Sequence, residues 1–234
     1  MRSAAAVSAL AAVTVGIGLV LSGCGSGGDS ESTSSSETSA PSETSEASET
    51  TETSAAAAAD TQTAGEYLTA NGVTQIIVKP NEPGVPMVDL PMPEGFEPIP
   101  DADLPQDAYG AIFLTAAQGT PNPPAIIARM ARLEGGTFDI AKILELSPNA
   151  VTRLPGWDGP AAGEPSELSG FEAMAIAGNA TVDGAPTFVA RKTVVIPGAQ
   201  NTYLLAFDAQ GPVDQQQALL DAMVAIDEGT TITP

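Results

Sequence analysis

An α+β sandwich, one antiparallel sheet covered by helices, is the fold class this sequence predicts, and three observations carry it. Apolar, β-forming runs follow one another directly through 171–209 instead of alternating with helical segments, which favours an antiparallel meander over a doubly wound sheet. The pair Asp183-Gly184 between two of those runs is a favoured tight turn. Two further stretches, 138–146 and 214–226, carry apolar residues at helical spacing.

The chain opens Met1-Arg2-Ser3 and then runs from Ala4 to Leu21 with only Ser8 and Thr14 as polar interruptions. The next positive charge is Lys79, so no basic stop-transfer cluster follows. An export signal over 1–23 is therefore favoured over a membrane-spanning helix. Leu21-Ser22-Gly23-Cys24 places an aliphatic residue and two small ones before a cysteine, which is the lipobox pattern. Small side chains fit a peptidase cleft beside the bond cut, between Gly23 and Cys24. The thiol of Cys24 then takes a diacylglycerol thioether, with palmitate-type chains as the anchor. Two or more acyl chains hold a protein stably on a membrane, at about 0.8 kcal/mol per buried methylene. Cys24 is the one cysteine in the chain, so no intramolecular disulfide is available and the fold must stand on its core.

Residues 25–60 consist of Gly, Ser, Thr, Glu, Asp, Ala and a single proline, with eight acids and no base. Such a stretch cannot bury enough apolar area to offset its ordering entropy, so a disordered tether is expected over 24–62. As a flexible chain it reaches roughly 30 to 35 Å. Its Ser/Thr content also permits O-glycosylation in an exported protein.

The remaining residues, 63–234, are enough for one domain of ordinary size. A short helix is expected over Ala64 to Ala70, stopped by Asn71-Gly72, then a strand from Val73 to Lys79. Prolines 83, 86, 91, 93, 98, 100 and 105 break the next stretch into extended pieces, with 86–91 and 96–99 as edge segments. Strands follow at 109–115 and 125–133. Ile140, Ile143 and Leu144 form one apolar face of a helix over 138–146 that Ser147-Pro148-Asn149 should end. A Gly/Pro-rich loop covers 155–165. The hairpin 171–182/186–196 leads through a turn into a strand at 203–209. Asp214, with Gln217 three residues on, suits a capping box for the last helix, whose stripe is Leu219, Ala222, Met223 and Ile226.

The domain carries 21 acids against seven bases and no histidine. That excludes the basic footprint nucleic acid requires and a polybasic attraction to anionic lipid. With Cys24 acylated, neither imidazole nor thiol is available for nucleophilic triads or for ordinary zinc, copper and haem sites. No cofactor and no catalytic residue is expected. Carboxylate pairs remain conceivable for glycoside hydrolysis, but Trp157 is the only tryptophan to serve as a sugar platform. Asp101, Asp103 and Asp107 lack the glycine and bidentate glutamate of a calcium loop. The candidate binding residues are apolar: Met130, Phe138, Ile140, Leu144, Trp157, Met174, Phe188 and Tyr203, with Ile126, Ile127 and Phe171 beside them. They suit either a lipid pocket or ordinary core. Trp157, in a Pro/Gly loop, is the one best placed to line a cavity mouth.

Lys192-Thr193-Val194-Val195-Ile196-Pro197, the ending Ile226 to Pro234, Pro83-Gly84-Val85-Pro86, Asp89-Leu90-Pro91, Asn122-Pro123-Pro124 and Leu154-Pro155-Gly156 together resemble the LpqN/LpqT family of mycobacterial lipoproteins. The resemblance covers nearly the whole globular part. It implies a PsbP-like α/β sandwich in an actinobacterial envelope; the lipobox gives the lipid-anchored, extracytoplasmic place at the cell membrane, and shedding of part of the protein is left open. The resemblance also implies binding of trehalose-based mycolic glycolipids and partnership with MmpL-type transporters. A protein-interaction module of the envelope with no lipid ligand is the alternative.

Overall fold

The computed structural model describes residues 61–234; the export signal, Cys24 and nearly all of the expected tether lie outside the described residues. Helix α1, Ala64–Ala70, starts where Thr63 and Glu66 form a capping box: the Thr63 hydroxyl accepts from Glu66 N–H, and Glu66 Oε2 accepts from Thr63 N–H at 2.7 Å.

Eight strands form one sheet: β1 Thr74–Ile77, β3 Phe96–Pro98, β4 Gly110–Leu114, β5 Ala125–Glu134, β6 Glu164–Leu168, β7 Phe171–Val182, β8 Ala185–Pro197 and β9 Thr202–Pro212. Their order is β3-β4-β5-β9-β8-β7-β6, all neighbours antiparallel. β5 is long enough to pair twice on its outer side, with β4 along its first half and β1 along its second. The hairpin turns at Asp183-Gly184, both with positive φ, 50° and 79°. That left-handed pair matches the twist of the two flanking strands.

Side chains alternate across a sheet, so the register sorts them onto two faces. Met130, Phe188, Lys192, Val194, Tyr203, Leu205 and Phe207 share the first face. It is covered by helix α4, Gln216–Gly229, through Leu219, Ala222 and Ile226. Leu133, Val195 and Leu204 lie on the second face under α1 and α2, Ile140–Leu146. The class is therefore the expected one, an antiparallel sheet with helices on both sides. Strand β10, Thr231–Thr233, pairs with β2, Met87–Asp89, in a separate two-stranded sheet that brings Ile232 to the first core.

Several expectations need correction. Helix α2 begins at Ile140, not Phe138, because the Asp139 side chain accepts from Ala141 N–H and Lys142 N–H and so fixes the cap there. Pro148 does end α2, but it also opens a single further turn, α3 Asn149–Thr152, where its missing N–H costs nothing. Asp214 does not cap α4. It lies in a 3₁₀ turn, Val213–Gln215, and Gln217 donates to Asp221 one turn on instead. Strand β6 lies partly in the expected loop, and β10 forms where no strand is expected.

Candidate functional site

The eight apolar residues expected to line one pocket do not meet. The sheet divides them. Met130, Phe188 and Tyr203 are buried beneath α4, and Tyr203 Oη donates to Gly84 O at 2.9 Å. Phe138, Ile140, Leu144 and Met174 belong to the layer beneath α1 and α2. Trp157 stands apart at one end of the second face, half-buried. Its indole lies over Gly178 and Gly159, and Nε1 donates to Pro160 O at 3.1 Å. Strand register decides the side for Met130, Met174, Phe188 and Tyr203, whereas Phe138, Ile140 and Leu144 reach the second face from α2 and the residue pair before it.

Two features were not legible from residue types alone. On the second face, Arg129, 3 % exposed, donates to Asp107 at 2.8 Å and to Asp208 at 2.7 Å. Arg191, on the neighbouring strand, donates to both oxygens of Asp208 at 2.6 and 3.0 Å. Pairing in the register places Arg191 directly opposite Asp208, which a sequence signal of alternating period would show only once the pairing were known. Two buried cations are thus matched by two carboxylates that keep an edge in solvent, which limits the desolvation cost.

On the first face, Lys192 is 1 % exposed, and its Nζ lies 2.7 Å from Asp227 Oδ2 on α4. The contact is one of charge and distance, not a directed hydrogen bond. Among the described residues, four buried side-chain polar atoms lack a hydrogen-bond partner: Gln75 Oε1, Asn179 Oδ1, Lys192 Nζ and Gln215 Oε1. Asn179 faces Phe188 and Lys192 faces Ala175, so both belong to the α4 face. Gln215 stands at the N-terminus of α4.

Every basic side chain of the domain is engaged. Besides those above, Lys79 donates to Gln106 O and Ala108 O, and Arg132, Lys142 and Arg153 pair with Glu134, Glu145 and Glu66. The surface is left acidic. Tyr109, in the first core, has its phenol pushed above the ordinary range by burial, partly offset by a hydrogen bond with the Val88 backbone. Among the described residues, no group of three or more carboxylates, histidines or cysteines is arranged to hold a metal, and no helix is long and apolar enough to cross a membrane.

These features define a class: an α+β domain with a neutralised ionic cluster on one face of its sheet and, on the other, an apolar core in which Lys192 is paired with Asp227. The family described as "Probable lipoprotein LpqN" matches residues 60–233. The chain is 35 % identical over 177 residues to lipoprotein LpqN of Mycobacterium tuberculosis (strain ATCC 25618 / H37Rv), covering 76 % of each protein. The crystal structure of LpqN "involved in cell envelope biogenesis of Mycobacterium tuberculosis" superposes with a TM-score of 0.69 at 35 % identity, over 74 % of this chain and 98 % of that one. This chain belongs to the LpqN lipoprotein family, as its sequence motifs led us to expect. The relatives are named as lipoproteins and not as enzymes.

Proposed function

We propose that this chain is a membrane-anchored lipoprotein on the extracytoplasmic face of the cell membrane that binds envelope glycolipids of the trehalose mycolate type and assists their transport with MmpL-type transporters. The observation that carries the reading is membership of a lipoprotein family with a 35 % identical relative described as involved in cell envelope biogenesis. A domain without imidazole or free thiol suits a carrier, which must release its lipid unchanged. An apolar layer lies on each side of the sheet, the chemistry an acyl chain requires. Acylation of Cys24 keeps the domain within tether reach, roughly 30 to 35 Å, of its cargo.

The test uses the mature chain, 24–234, with Cys24→Ser so that it is not acylated. Native mass spectrometry with trehalose monomycolate or dodecyl maltoside should show a bound species at micromolar concentration. Its absence with both would sink the reading.

A second reading, an interaction module without lipid, is favoured by the engagement of all seven bases, which leaves an acidic surface suited to a basic protein partner. Crosslinking in cells separates the two. A module captures its partner even when mycolate synthesis is blocked; a carrier's partnership fails with its cargo.

A further inference from the structure

We propose that Asn71-Gly72 is a site of spontaneous covalent modification, deamidation through a succinimide, and that the end of α1 holds it closed, so that conversion marks chains in which α1 has opened.

The chain has one asparagine followed directly by glycine. With no side chain on the next residue, the main-chain nitrogen approaches the asparagine amide unhindered. In the reaction the Gly72 nitrogen gives its proton to solvent and attacks Asn71 Cγ. A C–N bond forms, the Cγ–Nδ2 bond breaks, and ammonia leaves after taking a proton back. Water then opens the five-membered ring at either carbonyl, giving aspartate or isoaspartate at position 71. The net change is amide plus water to acid plus ammonia, with no oxidant or cofactor. Asn71 and Gly72 are both exposed, so water reaches them.

Three features of the folded chain oppose the reaction. Helix α1 ends in a Schellman motif: Gly72, at φ 72°, donates its N–H to Thr69 O at 3.0 Å, and Val73 N–H donates to Leu68 O at 2.9 Å. The attacking nitrogen is thus bonded back into the helix. Asn71 ψ is 13°, which turns that nitrogen toward Asn71's own nitrogen and away from its side chain, so the ring cannot close. The leaving amide is tied as well, Nδ2 donating to Tyr67 O at 2.8 Å. Reaction requires a local opening of the last turn of α1, which releases all three.

Conversion also opposes re-closure. The Asn71-Gly72 peptide lies against Gly136, between β5 and α2; a Cβ placed on Gly136 would overlap Asn71 O and stand 2.8 Å from Gly72 C. Isoaspartate adds a carbon to the main chain at this wedge, where no space is left for it. Aspartate replaces the amide donor by a carboxylate that faces the Tyr67 carbonyl at the negative end of the helix. Either product weakens the seat of Leu68 and Val73, which are buried in the layer beneath α1 and α2.

The experiment incubates the mature Cys24→Ser chain in mildly alkaline buffer and follows residue 71 by peptide mass spectrometry, with fragmentation that separates aspartate from isoaspartate. The folded chain should convert at least about tenfold more slowly than the same chain in urea, a ratio set by the opening equilibrium. Thr63→Ala removes the hydroxyl that caps α1 and should raise the folded rate severalfold. Asn149, Asn179 and Asn201, followed by Ala150, Ala180 and Thr202, should stay amides meanwhile. In the purified isoaspartyl chain, amide hydrogen exchange over 64–70 should be severalfold faster than in the parent. Equal rates in the folded and unfolded chain overturn the inference, because the motif then holds nothing closed. So does an unconverted residue 71 in urea, an unchanged rate in folded Thr63→Ala, or parental exchange in the converted chain. If circular dichroism shows Thr63→Ala unfolded, Glu66→Ala, which removes the reciprocal cap and the Arg153 pair from an exposed position, takes its place with the same expected rise.

Discussion

Arg129 Nη1 donates to Asp208 Oδ2 at 2.7 Å between adjacent strands β5 and β9, and the same carboxylate takes two further bonds from Arg191 on β8. One aspartate therefore joins the three central strands of the sheet on its second face. Asp208→Ala leaves Arg191 without its carboxylate and Arg129 with Asp107 alone. The expected loss is about 3 kcal/mol, the cost of leaving a largely buried charge uncompensated, seen as a lower urea midpoint with unchanged slope. Adding Arg191→Met should recover part of the loss. If it recovers none, the cost lies in packing and not in charge.

Glu66 ties the start of α1 to the rest of the domain. The Arg153 guanidinium, first, and then the Thr63 backbone N–H hold its carboxyl below the ordinary range. The folded state then binds this proton less tightly than the unfolded chain, whose carboxyl titrates near about pH 4.3. The stabilisation is complete above that pH and is lost as pH falls through the lower folded value. Both partners are about half exposed, so screening keeps the effect small. Thermal midpoints of parent and Glu66→Gln should differ between pH 5 and 6 and converge toward pH 3. A constant gap would remove Glu66 titration as the cause.

How far the sequence carries can be judged from particular elements. The β7–β8 hairpin and the α4 stripe were legible because each is a local pattern: a turn pair whose φ values suit two strands, and apolar residues at a helical period. Strand β10 was not, because three residues, Thr231–Thr233, acquire strand geometry only by pairing with β2 more than 140 residues earlier. Its sequence gives no sign of that partner. Of the candidate site, the inward direction of Met130, Leu144, Phe188 and Tyr203 was legible from apolarity. Their division between two layers was not, because the faces of Met130, Phe188 and Tyr203 depend on strand register, where a shift of one residue exchanges the faces, and that of Leu144 on the side of the sheet against which α2 packs. The Lys192 position was least legible. In the run Arg191-Lys192-Thr193 nothing distinguishes the lysine under α4 from the arginine on the opposite face.

The proposed function makes Cys24 the anchor. On that proposal, Cys24→Ser in cells removes the thiol that would take the acyl chains and with it the membrane affinity of roughly 0.8 kcal/mol per buried methylene. The variant should move from the membrane to the soluble or culture-supernatant fraction, and labelled palmitate should be incorporated only into the parent. Retention of the variant on membranes after a high-salt wash would point to an uncleaved signal helix instead.

Gly178 sets where Trp157 lies. A Cβ at position 178 would stand 2.7 Å from the Trp157 Cη2 and 2.9 Å from the Asp158 carbonyl oxygen, contacts that force the indole, the loop backbone or both to shift. Asp158 and Asn179 exchange backbone hydrogen bonds at 2.7 and 2.9 Å, so the loop is pinned on one side and has little room to give. Gly178→Ala should cost about 1–3 kcal/mol, the usual range for overpacking a filled space. Trp157 is the only tryptophan, so its emission reports on this contact alone. A red shift in the folded Gly178→Ala variant, with the far-ultraviolet circular dichroism unchanged, is the expected result. An unshifted spectrum with parental stability would mean that the indole is not seated on the glycine in solution. The same variant also tests the loop as a cavity mouth: if Trp157 contributes to ligand binding from its present seat, dodecyl maltoside affinity falls with the shift in emission, and Trp157→Ala reproduces the fall.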